Sequence, residues 1–213
     1  MRAIVFVLLV IAFSARIVLA EPPAEPVRHF AGRDLFGLQY ATDPQIRPDG
    51  AAVAYVRVSF DVMRDLAMHS IWLVDTSTGE ETPVAVGDGD HTSPRWSPDG
   101  KRLAYVSGTE GGKAQIYVRW LGGGAIAKVT DLTEAPTELA WSPDGSSIAF
   151  LMFAPDEKAK LGEAPPKPEG ALCAEPLEVI TNVTYRADGA GYLKPGYRHV
   201  YVVAAGGGAP RQL

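Results

Sequence analysis

Apolar and polar residues alternate along this chain in short runs, and each run is bounded by glycine, proline or aspartate. Such alternation is typical of β-strands that have one face in a core. Three runs, at residues 52–56, 102–106 and 147–151, share one spacing of apolar positions. The pattern therefore predicts a β-hairpin that recurs along the chain.

The same turn precedes each of these runs. Proline presets φ for a tight turn, aspartate bonds its own following backbone, and glycine takes the positive φ that a residue with a Cβ resists. Successive copies lie 50 and 45 residues apart, which is the period of a β-propeller blade. The copies are Pro48-Asp49-Gly50, Pro98-Asp99-Gly100 and Pro143-Asp144-Gly145.

A second hairpin follows the first in each unit, with apolar runs at residues 71–74, 116–119 and 200–203. Four strands joined as two hairpins make one propeller blade. The glycine triplets at 122–124 and 206–208 precede strands. A phosphate-binding loop needs a helix in that place, so the triplets are interpreted as hairpin turns.

These repeats predict an all-β fold, an incomplete β-propeller of about three four-stranded blades after an N-terminal signal peptide. The expected divisions are a linker at 21–33 and a partial propeller at 34–213, with blades at about 42–86, 92–130 and 137–213 and an insertion in the third blade at about 154–197. Propellers usually close with about 4 to 8 blades. The chain is therefore expected to be the front part of a longer protein.

Residues 1–20 have the features of a signal peptide. Arg2 precedes an apolar run at 3–13, and Val18-Leu19-Ala20 fits the small-residue rule for cleavage before Glu21. This predicts export to the periplasm or the extracellular space, with membrane contact only during export. The alternative is an uncleaved anchor, but Arg16 interrupts the apolar stretch before the roughly 20 residues that a span requires.

Composition excludes several classes of function. The chain has 20 basic and 25 acidic residues and no basic cluster, so nucleic acid is not an expected partner. Its single cysteine, Cys173, cannot form an internal disulfide. Because Cys173 sits in a proline-rich insertion without a base beside it, it is interpreted as a tolerated residue and not a nucleophile.

The sequence contains no recognisable catalytic motif. No serine lies in a Gly-x-Ser-x-Gly elbow, and the four histidines, at 29, 69, 91 and 199, show no metal-binding spacing. We therefore predict no catalytic residue, no metal site and no cofactor in this chain. Its substrate-binding residues are not identified by sequence.

Three weaker signals have ordinary structural interpretations. The loop at 87–91 lacks the oxygen-ligand spacing of a calcium site and is read as a surface connection. The Glu80-Glu81 pair could receive a peptide amino terminus but is placed in a solvated outer turn. Asn182-Val183-Thr184 matches a glycosylation acceptor. Four tryptophans are expected in core or blade-to-blade packing: Trp72, Trp96, Trp120 and Trp141.

Taken together, the motifs resemble the amino-terminal propeller of prolyl oligopeptidase family serine peptidases, most closely the bacterial acylaminoacyl-peptidase and dipeptidyl-peptidase-like branch. The motifs are Asp-Leu-Phe-Gly-Leu at 34–38, the segment 41–50, the Trp-Ser-Pro-Asp-Gly hairpins, and Tyr-Arg-Ala-Asp-Gly-Ala-Gly-Tyr at 185–192 before residues 199–203. The resemblance implies a propeller that caps an α/β-hydrolase domain, screens peptides by size and helps form the cleft. The triad of that family lies in the hydrolase domain, so no catalytic residue is carried over and the chain alone is not expected to cleave peptides.

A second interpretation stays open. The Trp-Ser-Pro-Asp-Gly hairpin is shared with the periplasmic propeller of the Tol-Pal system, so the chain could be a non-enzymatic propeller that binds envelope proteins. The long insertion in the third blade favours the peptidase. So does a propeller that begins directly after the signal, without the small α/β domain that precedes the Tol-Pal propeller.

Overall fold

A computed structural model describes residues 29–108, 112–156, 166–172, 179–180, 182–189 and 191–213. Residues from Arg33 to Leu213 belong to one compact unit. The predicted signal peptide, most of the predicted linker and Cys173 lie outside the described residues.

The described chain is built almost entirely of strands, after one 3-10 helix at Gly32–Gly37. That helix contains the first four residues of the Asp-Leu-Phe-Gly-Leu motif at 34–38. The strands are β1 (Tyr40–Ile46), β2 (Ala52–Asp61), β3 (Leu66–Asp75), β4 (Glu81–Ala85), β5 (Asp90–Trp96), β6 (Arg102–Gly108), β7 (Gln115–Trp120), β8 (Ile126–Lys128), β9 (Pro136–Trp141), β10 (Ser147–Pro155), β11 (Arg186–Ala187), β12 (Gly191–Tyr192), β13 (Gly196–Ala204) and β14 (Arg211–Gln212).

These strands form three antiparallel four-stranded sheets, which are called blades 1, 2 and 3. Their strand orders are β1-β2-β3-β4, β5-β6-β7-β8 and β9-β10-β13-β14, and β11 and β12 pair separately. The first strands touch, β1 against β5 and β5 against β9, whereas the outer strands β4 and β8 make no comparable contact in the described chain. The first strands therefore lie nearest the propeller axis, and the predicted all-β partial propeller is confirmed.

Blade 2 is buried on both faces because successive side chains of a strand point to opposite sides. Leu103 and Tyr105 of β6 pack into the core shared with blade 1. Ala104 and Val106, the alternate residues, pack into the core shared with blade 3. This explains why β6 reads as a nearly continuous apolar run, and each fully buried large side chain adds about 1.5–3 kcal/mol of stabilisation.

A β-bulge interrupts the first strand of every blade, a feature that the sequence pattern did not predict. Pairing shifts register at Thr42/Gln45 and Thr92/Arg95 in blades 1 and 2, and at Ala149/Leu151 of β10 opposite β9 in blade 3. At each bulge a residue other than glycine has a left-handed backbone. They are Asp43 (φ 47°), Ser93 (φ 55°) and Glu138 (φ 53°). The next residue of the bulge, Leu139 in blade 3, is pushed into the core against blade 2.

The hairpin turns fall on two edges of the blades. The "turn edge" carries the first and third turns of every blade, including the three Pro-Asp-Gly turns. The "loop edge" carries the β2–β3, β6–β7 and β10–β13 connections and the links between blades. Connections on the loop edge differ in length from blade to blade, and the longest runs from Pro155 to Gly196.

The residues at 178–185 have the composition of a strand, but the described residues of that stretch form no strand. The Asp188-Gly189 pair is typical of a tight turn, and the residues around it form the hairpin of β11 and β12.

Candidate functional site

Two tryptophans on the turn edge connect neighbouring blades by the same hydrogen bond. Trp96 Nε1–H donates to the carbonyl of Gln45 at 2.8 Å, and Trp141 Nε1–H donates to the carbonyl of Arg95 at 2.9 Å. Both bonds run from the end of a first strand to the first strand of the preceding blade. Ile46 takes this position in blade 1 and is 71% exposed. The expected blade-to-blade role of Trp96 and Trp141 is therefore confirmed.

An arginine of the preceding blade covers each of these indoles. The Arg47 guanidinium lies 5.9 Å from the Trp96 ring centre, and that of Arg102 lies 4.8 Å from the Trp141 ring centre. Arg102 Nη2 also donates to the Gly145 carbonyl at 3.0 Å. Arg47 precedes the Pro-Asp-Gly turn of its blade, whereas Arg102 follows the turn of its own blade. The same arginine–tryptophan contact is therefore made from two different positions of the repeat.

The aspartates of the Pro-Asp-Gly turns are held by local hydrogen bonds. Asp144 accepts from the Ser142 hydroxyl at 2.5 Å and from the Ser146 backbone N–H at 3.0 Å. These bonds, the hydroxyl bond first, lower the pKa of Asp144 to about 2. Asp99 has the same pattern and a lowered pKa, chiefly through the Ser97 hydroxyl. These carboxylates are structural anions, because local hydrogen bonds occupy their oxygens.

Charged residues on the loop edge join neighbouring blades. His69 Nδ1 of blade 1 lies 2.5 Å from Asp90 Oδ1 of blade 2. Arg64 lies 3.9 Å from Asp88 in the connection between the blades. The sequence placed the loop at 87–91 in a surface connection; the structure adds that its aspartates face His69 and Arg64 of the preceding blade.

Glu134 anchors the insertion to the propeller. Its carboxylate lies 3.8 Å from Lys113 Nζ of blade 2 and accepts a hydrogen bond at 3.4 Å from Lys194 Nζ, which follows β12. The Asp156 backbone N–H donates to the Pro195 carbonyl at 3.0 Å, which closes the base of the insertion. The segment after β12 is thus fixed to the loop edge at two points.

The hairpin of β11 and β12, with its flanking residues Tyr185 and Leu193, is called the insertion hairpin. The Tyr185 and Tyr192 rings stack with centroids 6.1 Å apart, and the residues are 45% and 59% exposed. The Arg186 guanidinium lies 5.9 Å from the Tyr192 ring centre. Two aromatic rings and a cation therefore share one exposed position on the loop edge.

Blade 1 carries a polar network on the face that points away from blade 2. Arg57 lies 3.8 Å from the Trp72 ring centre, and it donates to the Tyr55 hydroxyl at 2.6 Å and to Glu81 at 2.5 Å. Tyr55 also donates to Glu81 at 2.7 Å. This hydrogen bond lowers the pKa of Glu81, while burial raises the pKa of Tyr55. A shallow cavity of about 370 Å³ lies beside Arg57 and Trp72.

This network corrects the sequence interpretation of Glu81. It is also a polar site that the sequence did not reveal. Glu81 was placed in a solvated turn, but it is the first residue of β4 and is bound by two side chains of β2. Trp72 packs beneath Arg57 on the face that points away from blade 2. The alternation within β2 could have shown that Tyr55 and Arg57 share a face, although it could not place Glu81 beside them.

His91 lies beside the Tyr105 ring, edge-on, with ring centroids 6.3 Å apart. Both of its ring nitrogens are buried and have no hydrogen-bond partner among the described residues. Burial lowers the pKa of His91, and the nearby Asp90 opposes that effect. Burial therefore favours the neutral form of the His91 side chain.

Within the described ranges, no group of three or more His, Cys, Asp or Glu side chains could hold a metal ion. The same part of the chain has no helix long and apolar enough to cross a membrane. The glycosylation acceptor at 182–184 lies in the insertion, where Val183 is 99% exposed. The absence of a catalytic residue from this chain stays a prediction.

Comparison with known proteins places the chain among propellers. Residues 37–153 match the model of the TolB beta propeller domain. An uncharacterized peptidase of Bacillus subtilis, YuxL, is 33% identical over 180 residues, which are 84% of this chain and 27% of that protein. The Tol-Pal system protein TolB of Coxiella burnetii is 39% identical over 84 residues, which are 39% of this chain and 18% of that protein.

Among solved structures, the acylaminoacyl peptidase of Pyrococcus horikoshii matches with a TM-score of 0.65 and 21% identity, over 84% of this chain and 26% of that one. At this identity the likeness shows the fold. The chain thus spans about a quarter of the length of the peptidases that it matches. The resemblance to peptidase propellers that the motifs indicated is confirmed.

Proposed function

We infer, from the premise that this chain belongs to the TolB beta propeller domain family, that it is the non-catalytic propeller portion of an exported serine peptidase of the prolyl oligopeptidase family. One observation carries this proposal: 33% identity extends over 84% of the chain to a protein described as a peptidase, of which the chain spans only 27%. The rest of such a protein would supply the reacting residues.

The role proposed for the propeller is to limit which peptides reach the hydrolase domain. The two edges of the blades support this role unequally. Tight turns held by local hydrogen bonds close the turn edge, while the variable connections and the insertion lie on the loop edge. Binding elements are usually variable loops held by a rigid scaffold. The loop edge is therefore the side that we assign to the peptide.

The proposal that this chain is non-catalytic and that the rest of the protein supplies the reacting residues can be tested on the complete product of the gene that encodes this chain. We expect its sequence to contain further blades and a Gly-x-Ser-x-Gly elbow, and a serine-reactive fluorophosphonate probe to label the purified product. The 213-residue chain alone should neither take the label nor hydrolyse acylated or free-amino-terminal peptides. Labelling of the short chain, or no labelling of the complete product, contradicts the proposal.

Size selection needs a separate measurement. For the complete product, kcat/KM should be roughly tenfold or more lower for a peptide of several tens of residues than for a short peptide with the same cleavage site. Equal values for both lengths would remove the gating role and leave the peptidase assignment in place.

Export is the remaining part of the proposal, and it depends on the signal predicted at residues 1–20. Amino-terminal sequencing of the protein recovered from the periplasm or the medium should begin at Glu21. A protein that keeps Met1 and stays with the membrane fraction would support the anchor instead.

A second candidate function is a non-enzymatic propeller that binds envelope proteins. The 39% identity to TolB of Coxiella burnetii favours it, although that match covers less than half of this chain. A coding region that ends after a closed propeller, without a serine elbow, would favour this candidate over the peptidase.

A further inference from the structure

The insertion hairpin combines features that are unusual on the surface of this molecule. Stacked aromatic residues are normally placed in a core, yet Tyr185 and Tyr192 stack while about half exposed. Exposed apolar groups gathered in one place are typical of binding surfaces. Leu193, also partly exposed, fixes the pair because its backbone N–H donates to the Tyr185 carbonyl at 2.8 Å.

The charge of this segment is opposite to that of the chain. The whole chain has a net charge of −5, whereas the stretch 185–198 contains three basic residues, Arg186, Lys194 and Arg198, and one acidic residue, Asp188. Lys194 is paired with Glu134. In the part of the chain that is described, no carboxylate lies within ion-pair distance of Arg186 or Arg198. Among the described residues, the stretch therefore presents two arginines without an acidic partner to a ligand that approaches the loop edge.

These groups are also held in place. Arg186 pairs with Tyr192 across the hairpin, and the segment after Tyr192 is bound to blades 2 and 3 through Lys194 and Pro195. A preorganised contact loses less conformational entropy on binding than a loop that must become ordered. Arginine beside an aromatic ring can bind a carboxylate through two N–H groups while the ring packs against an apolar side chain.

We propose that the insertion hairpin is a peptide-binding element: Tyr185 and Tyr192 contact an apolar or aromatic side chain, and Arg186 binds a carboxylate of the same peptide. This inference rests on the proposed function, because that function brings peptides to the loop edge. It adds a substrate class, peptides that carry a free carboxylate close to an apolar residue. No residue of the hairpin takes part in bond cleavage.

The test uses the complete gene product after treatment with the fluorophosphonate probe, so that a bound peptide is not consumed. The two ligands are a fluorescein-labelled tetrapeptide that ends in phenylalanine with a free carboxylate and the same peptide as its carboxyl-terminal amide. Fluorescence anisotropy gives the Kd for each. We expect the free acid to bind about tenfold more tightly than the amide, as one charge-assisted hydrogen bond allows.

Two variants separate the roles of charge and ring. Arg186→Gln should abolish the preference for the free acid, and Tyr192→Ala should weaken both peptides by a similar factor. Arg211→Gln, an exposed arginine on β14 of the same blade, is the matched control and should leave both Kd values unchanged. Thermal unfolding should show that all three variants fold like the parent.

The inference is overturned if acid and amide bind equally, if neither binds, if Arg186→Gln keeps the preference, or if Arg211→Gln loses it as well. Its failure can be told apart from failure of the proposed function, because the probe reports the nucleophile by itself. Labelling without acid preference leaves a peptidase whose insertion hairpin has no binding role. Acid preference without labelling leaves a peptide-binding propeller that is not part of a serine peptidase.

Discussion

The turn edge and the loop edge of this propeller are built in different ways. On the turn edge one backbone hydrogen bond joins the two turns of a blade, and it recurs in all three: Thr76 N–H to Ala51, Leu121 N–H to Lys101 and Ala205 N–H to Ser146. On the loop edge the contacts are between polar side chains that differ at each blade junction, such as His69 with Asp90 and Lys113 with Glu134. Repetition on one edge and variation on the other support the proposed separation of a structural edge from a binding edge.

The difference shows which surface is free to vary. Contacts on the turn edge depend on backbone groups and on tryptophans that reach the preceding blade, so a substitution there changes the packing of blades. Exposed ion pairs on the loop edge contribute little to stability. The residues of the loop edge can therefore be chosen for binding, and the following experiments test this contrast.

The largest effect is expected at the tryptophan between blades 2 and 3. Trp141→Ala removes the bond to the Arg95 carbonyl, the contact with Arg102 and part of the shared core. Because Trp141 is only partly buried, the free energy of unfolding should fall by about 3 kcal/mol, the lower end for a large aromatic residue. Urea denaturation measures it. Ile46→Ala, at the same position in blade 1, should cost less than about 0.5 kcal/mol; equal losses would refute a special role for the tryptophan.

The next effect compares two turn glycines with similar backbones. Gly145 (φ 67°) and Gly50 (φ 76°) both lie in the left-handed region, so alanine at either costs about 1 kcal/mol. A Cβ at Gly145 would lie 2.8 Å from Arg102 Nη2, whereas a Cβ at Gly50 meets nothing within 4 Å. Urea denaturation should show a larger loss for Gly145→Ala than for Gly50→Ala. The same loss at both sites would mean that Arg102 moves aside without cost.

Acid should affect the two edges at different pH. His91, near the loop edge, has a pKa lowered by burial from an unfolded value of about 6.5. As the pH falls, His91 therefore binds a proton in the unfolded chain before it does so in the folded chain. The contribution of neutral His91 to the free energy of unfolding is complete above about pH 6.5 and is lost as the pH falls toward its folded pKa. The ring is faced by Asp90 and Tyr105. Melting temperatures between pH 8 and pH 5 should fall for the parent and stay flatter for His91→Phe.

The turn edge should keep its stabilisation to a lower pH than the loop edge. The two edges can therefore be compared within one protein. Asp75 and Asp144 have pKa values of about 2, set by hydroxyl and backbone hydrogen bonds. Their stabilisation is present above the ordinary aspartate pKa of about 3.9 and is lost only as the pH falls from there toward 2. A parent and a His91→Phe variant with identical melting curves above pH 5 would exclude His91 as the loop-edge titrating group.

The smallest effect is expected at the anchor of the insertion. Glu134→Gln removes two exposed ion pairs, with Lys113 and Lys194, so the free energy of unfolding should change by less than about 0.5 kcal/mol. Hydrogen exchange should nevertheless become faster in residues 191–196 and not in blade 2. A loss above about 1 kcal/mol would show that the loop edge also supports the fold, against the proposed division.

The hairpins could be predicted from sequence because each depends on neighbouring residues. Pro98, Asp99 and Gly100 each meet a local requirement of one turn, so the turn is readable wherever these residues follow one another. The bulges were missed because the residues with a left-handed backbone, Asp43, Ser93 and Glu138, share no residue type. Glu81 was misplaced because its partners, Tyr55 and Arg57, lie 26 and 24 residues earlier in the chain.

Repeated four-stranded sheets follow from the order of residues alone, since strand alternation and turn chemistry act over a few residues. Which distant groups meet depends on how the sheets fold and pack: Trp141 with Arg102 between blades, Glu134 with Lys194 at the insertion, and Arg57 with Trp72 within blade 1. Arg47 and Arg102 show why, since arginines at different positions of their blades reach equivalent tryptophans. The packing of the sheets sets the distance that a long arginine side chain must span to reach the tryptophan of the neighbouring blade. The order of residues along the chain does not contain that distance.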